Sequence, residues 1–225
     1  EIRTSKYTVI TFLPVNLFEQ FCRIANLYFL ITAGLQLIPG LSPTSWFTTV
    51  APLVIVLAVN GIKEGYDDYH RHKNDREING REVLVLHQGG KETATAWRDV
   101  LAGDIVKVTQ DQEIPADLIL LSSSDAEHLC HIETANLDGE TNLKVKYAYN
   151  RTAGVHTADQ LVEFEQNSMV QCELPNPKLY TFDGAVVDKH DTNGQKDALT
   201  VDNLLLRGCT LRKTSWVIGL VAYVG

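Results

Sequence analysis

The run Ile132-Glu133-Thr134-Ala135-Asn136-Leu137-Asp138-Gly139-Glu140-Thr141-Asn142-Leu143-Lys144 holds the side chains of this sequence best placed for acid–base chemistry. Asp138-Gly139 between two β-like runs predicts a tight turn, because glycine takes positive φ without steric cost. Such a turn projects Glu140 from the rim of a sheet. Its carboxylate, with an ordinary pKa of about 4.3, is ionised near neutral pH and can take a proton from a suitably placed water. The tripeptide alone favours a plainer reading, a solvated hairpin tip without chemistry. His70 and His72 invite a metal reading, but residues two apart on a helix point in different directions, so solvated side chains are expected there and no metal site. Cys22, Cys130, Cys172 and Cys209 form no Cys-x-x-Cys pair, which predicts buried reduced thiols in place of a zinc site or disulfide scaffold.

The elements around this run differ sharply in hydropathy. Hydrophobic residues make up 44% of the 225 residues and charged residues 21%, which excludes an intrinsically disordered chain. The net charge of −8, with no basic stripe, argues against a nucleic-acid partner. Phe21 to Leu41 is nearly all apolar, with Asn26 and Gln36 inside it, and a second apolar stretch runs from Trp46 to Ile62. The second is close to the lower limit of ~17 residues for a membrane-spanning helix. Pro39 to Ser45 between them is rich in turn residues and carries no charge. These features predict a two-helix transmembrane hairpin with spans at about 21–41 and 46–62, over a buried helical hairpin in a soluble core. Arg3 and Lys6 before it and Lys63, Arg71, Lys73 and Arg76 after it place both flanks in the cytosol and the connector on the far side. Residues 1–20 then form a cytosolic approach, its Thr11 to Phe21 part amphipathic and lying in the interface. Residues 63–80 extend the second span as a charged stalk.

From residue 81 onward the periodicity is that of short strands. Val83 to Leu86 and Thr93 to Ala96 flank Gln88-Gly89-Gly90-Lys91, a hairpin signal. Further strands are expected at Asp104–Val108, Leu118–Leu121, Leu129–Thr134, Leu143–Tyr147, Lys178–Phe182, Ala185–Val187, Leu204–Arg212 and Trp216–Val224. Residues 150–171 read as a polar, variable stretch. The chain therefore divides into 1–20, a hairpin at 21–62, a stalk at 63–80 and a β-rich domain at 81–225.

The Ile132–Lys144 run resembles the actuator domain of P-type ATPases, and within them the type IV subfamily, the phospholipid flippases. Ion-pumping relatives typically carry Thr-Gly-Glu in this loop, whereas flippases carry Asp-Gly-Glu-Thr, as at Asp138 to Thr141. Val100 to Val106 followed by Ile114 to Leu118 is similar to a strand-turn signature of P-type ATPases generally. Cys172 to Pro177, Leu179 to Gly184, and Leu204 to Trp216 look like flippase-specific segments, and Ser42-Pro43-Thr44 and Ile62-Lys63-Glu64 match as well. The resemblance covers nearly the whole chain apart from the variable stretch.

The resemblance implies a distorted jelly-roll-like actuator domain that swings onto an aspartyl phosphate held by another domain. The glutamate matching Glu140 positions and deprotonates the attacking water; Gly139 allows close backbone approach, and Asp138 and Thr141 shape the loop. It implies ATP and Mg2+ as cofactors of the complete enzyme, although this sequence has no Asp-Lys-Thr-Gly phosphorylation motif and no Gly-rich nucleotide loop of its own. It also implies a phospholipid substrate, with aminophospholipid expected, moved toward the cytosolic leaflet, the rest of the ATPase chain as partner, an accessory β-subunit, and a plasma, Golgi or endosomal membrane. Gln36-Leu37 stands where several aminophospholipid flippases carry paired glutamines, and only the first matches. Gln36 and Asn60 are the lipid-route candidates, with an interhelical hydrogen bond as the plainer role for each, as for Asn26. An ion-pumping P-type ATPase and a membrane-anchored binding module are the other readings these residues leave open.

Overall fold

In a computed structural model of the chain, residues 2–36, 38, 45–87, 90–176, 178–189 and 196–224 are described. They form two compact units, residues 2–78 and 79–225. The expected connector at Pro39–Ser45, apart from Ser45, and the expected hairpin turn at Gln88-Gly89 lie outside the described residues.

The first unit is helical. α1 (Phe12–Phe21) and α2 (Ile24–Gln36) are separated at Cys22-Arg23, so the apolar run expected from 21 is not one uninterrupted helix. The break is closed by polar groups: Asn26 Nδ2 donates to the Gln20 carbonyl at 2.8 Å, anchoring the second helix on the end of the first. At 13 residues α2 rises about 20 Å, short of a bilayer core of ~30 Å. α3 (Trp46–Asn79) is 34 residues long, and its charged second half continues the apolar first half without interruption despite Pro52. It is the one helix among the described residues long and apolar enough to cross a membrane. Its apolar side chains point outward, with Ile55 and Ile62 at 62% and 74% exposure, as suits a lipid surround.

One face of α3 is occupied along most of its length. Gln20 Nε2 reaches the Leu57 carbonyl at 3.3 Å and Asn16 Oδ1 at 2.6 Å. A Cβ at Gly61 would sit 3.7 Å from Asn16, and one at Gly65 only 3.2 Å from the Phe12 ring, so the two glycines let α1 lie close. Further along, Asp68 Oδ1 accepts the Lys6 N–H at 2.7 Å, and Asp75 Oδ2 accepts the Thr4 and Ser5 N–H groups at 2.9 Å each. Tyr7, fully buried, packs edge-on against Phe12 and donates its hydroxyl to Glu19. The charged half of α3 is thus not solvated on every side: Asp68 and Asp75 are buried clasps for the segment before α1. His72 Nδ1 lies 3.3 Å from Asp68 Oδ2, and His70 stacks against Tyr66 and Tyr69.

The second unit is β-rich. Its strands are β1 (Glu82–His87), β2 (Lys91–Ala96), β3 (Ile105–Thr109), β4 (Asp117–Ser123), β5 (Leu129–Glu133), β6 (Lys144–Tyr147), β7 (Ser168–Cys172), β8 (Gly184–Asp188), β9 (Lys196–Leu199), β10 (Leu204–Leu205), β11 (Thr210–Arg212) and β12 (Trp216–Tyr223). They build an antiparallel sheet in the order β10-β4-β12-β3-β1-β2 and two smaller ones, β11-β5-β6 and β7-β8-β9. Period-two alternation sends neighbours to opposite faces of the large sheet. Leu118, Leu120, Val217 and Val221 meet Ile132, Leu205 and Leu211 on one side, whereas Ile119, Leu121, Ile218 and Leu220 meet Val186, Leu199 and helix residues Leu161 and Val162 on the other.

Three sequence expectations fail here, the first at Leu204–Arg212, where Gly208 at φ +81° turns the chain between β10 and β11, which lie in different sheets. Residues 150–171 are not simply polar: they contain the amphipathic helix α5 (Ala158–Asn167), whose Leu161 and Val162 seal the second core, and most of β7. (The turn helix Ala135–Asp138 between β5 and β6, described below, is α4.) Lys178–Phe182 is no strand; Pro175 and Pro177 on its entry side lack the N–H donors a ladder needs, and Phe182 instead plugs the second core.

Gly219 lies at a register shift between the paired strands β12 and β4. A Cβ there would lie 2.9 Å from Leu118 Cβ and 3.2 Å from the Ile119 carbonyl. Gly219→Val is expected to destabilise the β-rich unit by about 1–3 kcal/mol through overpacking; chemical denaturation measured against the parent chain checks it, and an unchanged midpoint contradicts it.

Candidate functional site

The expected Asp138-Gly139 hairpin tip is replaced by a helical turn. β5 and β6 pair up to Ile132 opposite Lys144, and residues 134–143 leave the ladder as a loop that opens with α4 (Ala135–Asp138). The local reason is visible in the residues. Thr134 precedes the turn, Thr134 Oγ1 donates to the Asp138 carboxylate at 2.9 Å across one helical repeat, and Gly139 ends the turn at φ +75°. Glycine is needed there because an L side chain at that φ is strained by roughly 1–2 kcal/mol. Its positive φ agrees with the sequence reading, although the turn type differs. The Gly139 N–H caps the turn on the Ala135 carbonyl at 3.1 Å, and no atom lies within 4 Å of where its Cβ would be, so that side of the loop is open to an approaching surface. Asn136 Nδ2 ties the turn to the Gly208 carbonyl at 3.2 Å.

Asp138 is the hub of the loop. Its carboxylate accepts from Thr134 Oγ1, from the Glu140 N–H at 2.9 Å, from Lys144 Nζ at 2.7 Å and from the Tyr180 hydroxyl at 2.8 Å. Lys144 Nζ also lies 3.0 Å from Glu140 Oε2 and 4.7 Å from the centre of the Tyr180 ring. The Lys144 ammonium and then the Glu140 N–H hold the Asp138 carboxyl well below the ordinary carboxylate range, outweighing desolvation, with Tyr180 and Thr134 adding to the effect. Lys144 is held above the ordinary lysine range, chiefly by Asp138 and secondarily by Glu140. Glu140 itself is the outermost group: its side chain is 47% exposed against 14% for Asp138. Thr141 follows in the exposed part of the loop. The arrangement presents one half-exposed carboxylate, Glu140, ion-paired to the same Lys144 that neutralises Asp138.

It is a poor cation site. The acidic oxygens nearest each other are already bridged by the Lys144 ammonium, and among the described residues no group of three His, Cys, Asp or Glu converges. The buried thiols nearby carry no reactivity either: burial pushes Cys130 up to about 12 and Cys209 up to about 11, against a smaller opposing pull from Lys146. Cys22 and Cys172 are exposed, contrary to the expectation that all four are buried.

The other sequence candidates lie in the helical unit, away from this loop in the chain. Gln36 closes α2 and Asn60 sits half-buried in α3. Asn26 does make the polar contact between helices, through the Gln20 carbonyl. Lys144 and Tyr180 are the site residues that the sequence reading passed over. The i,i+4 spacings Thr134/Asp138 and Glu140/Lys144 were the local signal for the first; nothing local marks Tyr180, which is 42 positions from its partner.

Residues 77–189 match the family described as P-type ATPase actuator domain, and residues 1–50 match phospholipid-translocating ATPase N-terminal. The chain belongs to the P-type ATPase family, with the loop just described inside its actuator domain. Over 224 residues it is 49% identical to phospholipid-transporting ATPase ID of Mus musculus and to that of Homo sapiens, covering 100% of this chain and 18% of each relative. Over 225 residues it is 45% identical to phospholipid-transporting ATPase IC of Xenopus tropicalis, covering 100% of this chain and 17% of the relative. The chain thus spans less than a fifth of the length of these relatives.

The sign of the Asp138 shift gives a pH test. A carboxyl depressed on folding stabilises the loop above its unfolded pKa of about 3.9 and loses that contribution as pH falls through the lower folded value. Carbon-13 titration of the Asp138 carboxyl is expected to show no transition down to about pH 3; a midpoint at 4 or above contradicts the hub.

Proposed function

We propose that this chain is the N-terminal part of an ATP-driven phospholipid flippase, and that Glu140 is the general base for hydrolysis of its aspartyl phosphate. The observation that carries the reading is the outward Glu140 carboxylate on a loop whose other charges are mutually satisfied, in a chain of the P-type ATPase family. A base that must meet a phosphate on another domain has to be exposed before docking and fixed in direction after it. Both needs are met by an exposed glutamate mounted on the Asp138 hub. On docking, Glu140 takes a proton from water as the water oxygen attacks phosphorus; the P–O bond to the aspartate breaks, releasing inorganic phosphate and the free carboxylate. Gly139 leaves room for the phosphorylated surface, and Thr141 shapes the exposed side of the loop. ATP and Mg2+ supply the phosphoryl group and charge neutralisation in the complete enzyme, through residues other than this loop.

The membrane part of the proposal is a two-helix hairpin with spans at about 21–41 and 46–62, ahead of a stalk at 63–80 and a jelly-roll-like actuator in the cytosol. The absence of basic residues between the apolar stretches supports that orientation. Movement of an aminophospholipid toward the cytosolic leaflet, an accessory β-subunit and a plasma, Golgi or endosomal membrane complete the reading, supported by similarity to phospholipid-transporting ATPases. Gln36 and Asn60 are proposed to face the headgroup route.

In the complete enzyme, Glu140→Gln is expected to leave phosphorylation by ATP intact and slow phosphoenzyme decay by about 10²–10⁴-fold. Decay at the parent rate in a pulse–chase experiment contradicts the role. Gln36→Ala is expected to change headgroup preference in a vesicle flipping assay; unchanged preference removes Gln36 from the route.

A further inference from the structure

The segment Leu179–Gly184, a flippase-like run that the proposed chemistry does not use, supplies Tyr180 to the loop. Tyr180 touches the hub twice over. Its hydroxyl donates to Asp138 Oδ2 at 2.8 Å, and its ring faces Lys144 Nζ, which donates to the same oxygen at 2.7 Å. Asp138, Lys144 and Tyr180 therefore form a closed triangle in which each member contacts the other two. Tyr180 is itself held from both sides. Ahead of it Asn176 Oδ1 accepts the Lys178 N–H at 2.9 Å, and behind it Phe182 is buried in the second core. The Glu173 N–H donates to the Asp183 carbonyl at 3.1 Å, closing the base of the arm.

The two ends of the Lys144 bridge differ. The bond to Asp138 is short and joins two largely covered groups, whereas that to Glu140 is longer and ends on an exposed carboxylate. The exposed ion pair is the weaker one in water and yields first. We infer that Tyr180 and Lys144 are positioning residues of the hydrolytic loop: the Tyr180 arm clamps Asp138 and Lys144, and Lys144 parks Glu140 until docking draws it away. Resting on the reading of Glu140 as base, this gives the Leu179–Gly184 run a role in phosphoenzyme breakdown. The arm acts through Glu140 and touches neither water nor phosphate.

The test uses the complete ATPase in membranes, labelled with radioactive ATP and chased with unlabelled ATP. Tyr180→Ala is expected to slow phosphoenzyme decay about tenfold, the loss of one hydrogen bond to a charged group, with the rate of phosphoenzyme formation unchanged. Tyr180→Phe keeps the ring over Lys144 and is expected to fall between Tyr180→Ala and the parent. Because the arm works through Glu140, adding Tyr180→Ala to Glu140→Gln is expected to slow decay no further. If Glu140→Gln decays slowly while Tyr180→Ala decays at the parent rate, the clamp is overturned and the base survives. If Glu140→Gln decays normally, the base itself is wrong. Equal slowing of formation and decay by Tyr180→Ala, or slowing that multiplies with that of Glu140→Gln, marks general damage to the fold and overturns the clamp.

Discussion

The loop between β5 and β6 depends on the Asp138 carboxylate. Donors from Thr134, Glu140, Lys144 and Tyr180 converge on its two oxygens, and they come from the start of the loop, its middle, the next strand and a remote arm. Charge-assisted hydrogen bonds of this kind are shorter and roughly twice as strong as neutral ones, so they fix geometry as well as energy. With Asp138 saturated, the only acidic group of the loop left facing outward is Glu140. The more covered carboxylate holds the backbone that carries the more exposed one.

Two buried carboxylates perform a similar task in the helical unit. Asp68 and Asp75, seven positions apart on one face of α3, take up the backbone donors of residues 4–6, while Gly61 and Gly65 admit α1 to the same face. An extended segment without ladder partners needs acceptors, and the stalk supplies them. α3 runs unbroken from its apolar half to Asn79, and the first strand begins at Glu82. The clasp ties the segment before α1 to the charged half of α3.

Much of the β-rich unit was legible because alternation is a local property. Leu118–Leu121 and Val217–Val221 read as strands from their apolar runs, and both are central in the large sheet. The outward placement of Glu140 was legible from the turn expected around it. What escaped was decided by partners far away in sequence or by competing local signals. Asp138-Gly139 was read as a hairpin, yet Thr134 and Gly139 also bracket a helical turn, and the Asp138 hub favours that alternative. Tyr180 lay in a run read as a strand, because nothing near it announces a carboxylate on another loop. Nothing in the charged run after residue 62 announced that Asp68 and Asp75 are buried by the N-terminal segment. In α5, only Leu161, Val162 and Phe164 carry the apolar face, too few to stand out in a polar stretch.

The central claim is that water attacks the acyl phosphate only with Glu140 as its base. Exchange of oxygen-18 from water into inorganic phosphate, catalysed by the complete enzyme, reports that attack without depending on lipid movement or nucleotide turnover. The account predicts that exchange falls by about 10²-fold or more in Glu140→Gln while phosphorylation by ATP continues. Exchange at the parent rate in that variant would contradict it.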